Sequence, residues 1–485
     1  MTIPKEVRDI IEKLESKNFQ AFIVGGCVRD VLQGIKPHDW DIATSALPEQ
    51  ISKIFPKNYT DNKFGTVKVI TNSKESELEE IEITTFRTEE QYTDKRHPDK
   101  VEWAETIEAD LSRRDFTINS IALAPLNKTW KIIDPFEGRK DLKAKIIRAV
   151  GKPDHRFKED ALRLMRAIRL AAVLSFSIET NTYKAVEENA VLLKLISHER
   201  IRDELVKIIM SKNAAFGMEL LRASGLMKYI IPELLEGYKV GQNKHHIFDI
   251  YDHSLKSLDY AAKKGYNQYV RFAALLHDIA KPRTKAGEGK DSTFYGHEIV
   301  GAKITKQILT RLRFPNKDIE KITKLVRYHL FYYDADEVTE SSVRRLVLNV
   351  GKENLQELFE VRTCDRIGSG CPKAVPYKLR HFLYIVEKVS QDPIDASKLK
   401  IGGNDIMKLL NIEPSPKIGW LLNILLSEVL DEPKNNIKKY LETRVKELSI
   451  LNDADLEKMA KMAKGKVGQV INKRDEMTKQ RYWVS

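Results

Sequence analysis

The sequence predicts an α/β head of about 145 residues followed by a long all-helical body. Up to about residue 145, stretches with helical periodicity alternate with strand-like runs. After Gly151-Lys152-Pro153 the character changes, and from Glu159 onward nearly everything reads as helix. The helical part is broken at Pro232, Gly237 to Gly241, Pro282 to Gly289, Pro315, Pro372 to Pro376 and Gly402-Gly403. A length of 485 residues also exceeds what one core usually fills, so several domains are expected.

Taken in order, residues 4 to 17 carry Val7, Ile10, Ile11 and Leu14 at helical spacing. Strands are expected at 21 to 24, 66 to 70, 81 to 85 and 118 to 123, and no repeat of fixed period is visible. The segment Phe86 to Val101 is polar and charged without apolar periodicity, which predicts a mobile loop.

Composition narrows the class. The chain has 82 Lys plus Arg against 70 Asp plus Glu, a net charge of +12, which favours a polyanionic partner. The positive charge is spread along the chain except between Glu457 and Ser485, where eight basic and three acidic residues give net +5 and read as a solvated tail. Cys27, Cys364 and Cys371 form neither a C-x-x-C pair nor an even framework, so disulfides and a zinc knuckle are not expected. Charged residues interrupt every apolar run at the N-terminus, and no later stretch reaches the roughly 18 apolar residues of a membrane span. These features predict a cytoplasmic protein with no membrane partner.

The chemistry is expected to gather around Phe22-Ile23-Val24-Gly25-Gly26-Cys27-Val28-Arg29-Asp30 and the following Asp39-Trp40-Asp41. Gly25-Gly26 lets the backbone turn sharply at the end of a strand and approach a ligand closely, and amides exposed there suit phosphate. Arg29 brings a planar donor fork to the same place. Asp39 and Asp41, two apart in an expected short strand, point to one face, as a pair of cations holding a nucleoside triphosphate requires. Read alone, the same pair also fits a loop that caps a helix. Glu82, between Ile81 and Ile83, lies on the face opposite to them and is either a third carboxylate of this site or a surface residue.

These residues resemble the first motif of the class II tRNA nucleotidyltransferases, the CCA-adding enzymes and their bacterial poly(A) polymerase relatives. Four further motifs follow in the family's order. Arg113-Arg114-Asp115-Phe116-Thr117-Ile118-Asn119-Ser120 resembles the ribose-recognising second motif, and Asp134-Pro135-Phe136-Glu137-Gly138-Arg139 the hinge. Glu159-Asp160-Ala161-Leu162-Arg163 resembles the fourth, and His198-Glu199-Arg200-Ile201 with Glu204 the fifth.

The resemblance implies a polymerase-beta-like mixed sheet and template-independent addition of C, C and A to tRNA from CTP and ATP. It implies Mg²⁺ on the catalytic Asp39 and Asp41. It also implies nucleotide binding by Gly25, Gly26, Arg29, Arg114, Asp115 and Asn119, with Asp160, Arg163 and Arg166 further along. Asp115 is expected to accept from the ribose 2′-hydroxyl, or else to cap a helix. On a helix, Asp160 and Arg163 would share one face and set an acceptor beside a donor. That pair suits the amino groups of cytosine and adenine and leaves guanine and uracil with acceptor facing acceptor; alone, it also fits an intrahelical salt bridge. The loop after Phe86 resembles one that CCA-adding and A-adding members carry and CC-adding members lack. Lys63-Phe64-Gly65-Thr66-Val67-Lys68-Val69 looks like the CCA type, without an Arg-rich poly(A) polymerase signature.

In the second half His253, His277-Asp278, His297, His329 and Asp365 together resemble the HD phosphohydrolase superfamily, with Ala280 where Gly is common. Such ligands bind one or two divalent metals of unspecified identity, with His246 and Glu298 as supporting groups. The expected organisation is a head at 1–145, a helical neck and body at 146–239, an HD domain at 240–370 and a tRNA-gripping helical tail at 371–485. The alternatives are an A-adding enzyme or poly(A) polymerase, and an HD phosphohydrolase whose head binds RNA.

Overall fold

The computed structural model describes residues 3–61, 66–90, 100–126, 129–242, 247–331, 338–390 and 396–484. The chain divides into two compact units, residues 1–330 with 356–372, and residues 331–355 with 373–485. Among the described residues no helix is long and apolar enough to cross a membrane.

The first unit begins with the helix Lys5–Glu15, which buries Val7, Ile10, Ile11 and Leu14 as their spacing predicts. They pack on a seven-stranded mixed sheet in which β1 (Ala21–Val24), β2 (Asp41–Thr44), β3 (Asn58–Asp61), β4 (Thr66–Ile70) and β5 (Glu80–Thr85) are joined by β8 (Ala122–Leu126) and β9 (Thr129–Ile133). The order is β3-β4-β5-β2-β1-β8-β9, antiparallel except for the parallel pair β2–β5. Ile23, Ile42, Val67, Ile81 and Ile83 fill the core on the face of the first helix, while Val24, Ala43, Phe86, Ile107 and Ala122 pack elsewhere.

Three local expectations change. The strand expected at 118 to 123 starts at Ala122, because Thr117–Asn119 form a 3-10 turn. Thr117 donates its amide to the Arg148 carbonyl and its hydroxyl to Asp141, and a Cβ at Gly138 would stand 2.2 Å from the Thr117 carbonyl oxygen. Long-range packing thus overrides the local β pattern. Second, the ladder β1–β2 begins at Val24↔Asp41, so Asp39 lies in the bend before the strand rather than in it. Third, the loop expected over Phe86 to Val101 starts and ends as a hairpin of β6 (Arg87–Glu90) and β7 (Lys100–Trp103), and residues 91–99 lie outside the described residues.

The helices Leu162–Leu174, His198–Met210 and Ala214–Ala223 follow, then further helices of this unit that carry or flank His253, His277, His297 and His329. Among its described residues the second unit has helices and no strand, with Ile406, Leu421, Leu425, Leu441, Val445 and Leu456 in its core. Its last segment is not a solvated tail. The helix Asp453–Tyr482 buries Leu456, Ala460 and Ala463, and Asp475 accepts from the Tyr384 hydroxyl.

Candidate active site

The turn after β1 opens the site. Gly25 adopts φ +82°, a left-handed value that favours glycine, and a Cβ there would stand 3.1 Å from Asp41 Oδ2 and 3.2 Å from Arg114 Nη1. Both the conformation and the close approach therefore require Gly25. In the following helix, Gly26–Leu32, Arg29 bonds Asp30 through Nε at 2.8 Å and Asn119 Oδ1 through Nη1 at 2.9 Å.

Asp41 pairs in register with Glu82 across β2–β5, so the period of two carries Glu82 to the side of Asp41. Asp39, Asp41 and Glu82 line one cavity of about 750 Å³, which also takes in Gly25, Gly26 and Arg29. Burial, then the charges of Asp39 and Glu82, push the Asp41 carboxyl up to about 7 against the pull of Arg114. Crowded oxygen donors whose mutual repulsion raises a carboxyl fit a divalent cation.

The opposite wall comes from the second and fourth motifs. Asp110, 1% exposed, holds Arg113 at 2.7 Å and Arg114 at 3.0 Å, which fixes both guanidinium groups at the cavity. Asp115 is saturated: Oδ1 accepts the Phe116 amide and Asn119 Nδ2, and Oδ2 accepts Arg166 Nε and Nη2. Four donors thus meet the four lone-pair positions of the carboxylate that is expected to accept from the ribose hydroxyl. Although burial raises it, Arg166 and Arg163 hold the Asp115 carboxyl down to about 2.

Asp160 and Arg163 do not share a helix face. The helix Pro153–Glu159 ends just before Asp160, which is extended at φ −131°, and the next helix starts at Leu162. The Asp160 carboxylate accepts the Leu162 amide at 3.0 Å, a local bond that competes with continuing the helix. Nor do the two side chains pair with each other in the manner of an intrahelical bridge. Arg163 bonds Glu159 at 2.6 Å and the Arg113 carbonyl at 2.9 Å, while Asp160 is held by Arg200 at 2.8 Å. Both still line the cavity.

A second centre lies among the helices of the same unit. His253 is on the helix Ile250–Lys263 and Asp365 on Leu355–Gly368, whereas His277, Asp278 and His329 sit just past helix ends and His297 opens a helix. His253 Nε2 and His277 Nε2 are 2.9 Å apart, with Asp278 Oδ2 and Asp365 Oδ1 beside them. Asp278 turns its other oxygen to His297 at 3.3 Å and His329 at 3.7 Å. The Nδ1 atoms of His277, His297 and His329 lie 2.7–2.9 Å from the Ala274, Phe294 and Val326 carbonyls, which fixes Nδ1–H and aims each Nε2 inward. The two facing Nε2 atoms with the carboxylate oxygens beside them form a donor set that suits a cation once the rings are deprotonated. Burial lowers His277, yet Asp278 and Asp365 push it up to about 10; burial, with His277, pushes His329 down to about 3. Phe294 supports His297, rather than Glu298, which stands 4.0 Å away and pairs with Arg327. His246 lies outside the described residues.

Residues 21–148 match the family of the Poly A polymerase head domain, 175–237 that described as the probable RNA and SrmB- binding site of polymerase A, and 250–367 the HD domain. The chain is 47% identical over 429 residues to the CCA-adding enzyme of Lactobacillus delbrueckii subsp. bulgaricus, a match covering 88% of this chain and 93% of that one. The chain belongs to the CCA-adding enzyme family of tRNA nucleotidyltransferases. It is also 32% identical over 427 residues to the A-adding tRNA nucleotidyltransferase of Deinococcus radiodurans, covering 84% of this chain and 90% of the relative. The match to some relatives is shorter and spans 54% of the Ligilactobacillus salivarius CCA-adding enzyme. Among solved structures, the Bacillus stearothermophilus CCA-adding enzyme in complex with CTP is 28% identical with a TM-score of 0.59, covering 92% of this chain and 98% of that one.

Within this CCA-adding enzyme fold, Arg169 and Lys207 also line the cavity and lie outside the motifs, and so does Arg200, which the fifth motif contains without a role attached to it. Arg163, Arg166 and Arg169 recur every third residue on one helix, and that spacing is a signal that could have found Arg169. Arg169 is held by the buried Glu204 at 3.1 Å.

Proposed function

We propose that the cavity between Asp41 and Asp160 is where this chain adds C, C and A to the 3′ end of tRNA from CTP and ATP. The observation that carries the reading is the meeting of three carboxylates and a row of arginines in one cavity. Asp39, Asp41 and Glu82 are the groups that hold divalent cations, and their all-oxygen donor set favours Mg²⁺. Bound there, such cations neutralise the triphosphate and lower the pKa of the attacking hydroxyl.

The protein's own groups do the rest. The Gly25-Gly26 turn admits the phosphates against the backbone, and Arg29 and Arg114, each braced by a carboxylate, donate to them. Asp115 orients Arg166 and Asn119 instead of taking the ribose itself, so Asn119 is the better candidate for the hydroxyls. Asp160 and Arg163 offer an acceptor and a donor to the base edge and so favour cytosine and adenine. The test is addition to transcripts ending before the tail, after one C and after two Cs. Growth of all three with CTP and ATP supports CCA addition; growth only of the third supports A addition, the reading favoured by likeness to the Deinococcus enzyme.

The histidine centre supports a second activity on the same chain. His253, His277, Asp278 and Asp365 present imidazole and carboxylate donors without thiolate, which suits Mg²⁺, Mn²⁺, Ni²⁺ or iron more than structural zinc. Its proposed substrate is a phosphate ester on an RNA end. The buried Cys27 and Cys364 thiols fit a reducing, cytoplasmic setting.

A further inference from the structure

Asp160 is too short and too isolated at its helix break to define a base-reading geometry by itself. Its backbone is extended, so no helical ladder fixes its side-chain direction. Two outside groups do so. The Leu162 amide bonds Oδ1 at 3.0 Å, and the Arg200 guanidinium reaches across from the helix His198–Met210 with Nη1 on Oδ1 at 3.3 Å and Nη2 on Oδ2 at 2.8 Å. A planar fork on both oxygens fixes the plane of the carboxylate as well as its place. Three of the four lone-pair positions then carry hydrogens from described residues, and one on Oδ2 remains.

From this geometry we infer that Arg200 is a specificity-determining positioning residue. Resting on the base-reading role of Asp160, it leaves one acceptor position on that carboxylate, at the wall of the cavity that both residues line. A single fixed acceptor meets the amino group of cytosine or adenine and clashes electrostatically with the carbonyl of uracil or guanine. Released from the fork, the carboxylate can rotate away from a carbonyl, and the penalty against the wrong base falls. Arg163 is fixed by other partners, Glu159 and the Arg113 carbonyl, so losing Arg200 leaves the donor half of the pair in place.

The test is single-nucleotide addition by the full chain, CTP against UTP on a transcript ending in one C and ATP against GTP on one ending in two. The variants are Arg200→Gln, Arg200→Lys, Asp160→Asn and, as a control, Arg202→Gln, which removes an arginine of the same helix that bonds Asp203. Arg200→Gln is expected to lower the kcat/KM ratio of CTP over UTP at least about tenfold, chiefly through a lowered KM for UTP, with kcat for CTP nearly kept. Arg200→Lys, which keeps the charge without the fork, should recover only part of the ratio, and Arg202→Gln should match wild type. A ratio in Arg200→Gln within about twofold of wild type, while Asp160→Asn collapses it, overturns this inference and leaves the base-reading role standing. If Asp160→Asn also keeps the ratio, the base-reading role itself falls. Equal loss with every nucleotide, or equal loss in Arg202→Gln, overturns the inference by assigning Arg200 to helix packing. Should Arg200→Gln fail to fold by circular dichroism, Arg200→Lys decides alone, and an unchanged ratio there also overturns it.

Discussion

Asp41 and Glu82 stand opposite each other across β2–β5, the parallel pair of the head sheet. With burial and the charge of Asp39, that proximity puts the Asp41 carboxyl at about 7. Its folded value lies above the ordinary one, so without cations this group's contribution to stability is present at low pH and is lost as pH rises from about 4 to about 7. A proton and a divalent cation compete for the same carboxylate, so cation affinity is expected to fall up to about tenfold per pH unit below about 7. Mn²⁺ binding followed by electron paramagnetic resonance at several pH values measures this. Affinity that does not change with pH contradicts the assignment, and Glu82→Gln is expected to weaken binding about tenfold.

Asp160→Ala and Arg163→Ala should each relax base choice, raising the share of UTP and GTP incorporated while triphosphate binding through Arg29 persists. The expected loss of discrimination is about 1–3 kcal/mol, the cost of a buried group left unpaired. Ratios of kcat/KM equal to wild type would show that other residues read the base.

The Asp115–Arg166 pair predicts an acid-labile head. The folded carboxyl lies near 2, below the unfolded value near 3.9, so its ionised form stabilises the fold above about pH 4 and that gain is lost as pH falls toward 2. The linked contribution is about 2 kcal/mol. Urea unfolding at pH 3 and pH 6 should show a smaller pH effect in Asp115→Asn than in wild type, and equal slopes would remove Asp115 from the account.

For the histidine centre, His277→Ala with Asp278→Ala is expected to abolish metal-dependent hydrolysis of phosphomonoesters or 2′,3′-cyclic phosphates on RNA ends, with nucleotide addition kept. Wild-type protein loaded in turn with Mg²⁺, Mn²⁺, Ni²⁺ and iron that hydrolyses neither substrate makes the centre structural.

How far the sequence disclosed these features depended on the range of the interaction. The turn at Gly25 and the side of β5 that carries Glu82 follow from local rules, a glycine conformation and a period of two, and both are visible in the sequence. The break at Asp160 is not, because one side-chain bond to the Leu162 amide overrides a helical pattern that otherwise continues. The 3-10 turn at Thr117 depends on Gly138 and Arg148, more than 20 residues away in the chain, and local propensity carries no trace of them. Likewise the saturation of Asp115 by Arg166, and the fork of Arg200 on Asp160, join residues 51 and 40 positions apart.

The most direct test of the central claim is CTP addition to a tRNA transcript lacking its tail by Asp39→Ala and Asp41→Ala, with tRNA affinity measured alongside. Loss of addition by at least about a thousandfold is expected. Affinity should stay within about threefold, because the net positive charge of the chain, to which the carboxylates do not contribute, is expected to supply RNA affinity. Substantial addition by Asp41→Ala in Mg²⁺ would contradict the claim that this cavity carries the chemistry.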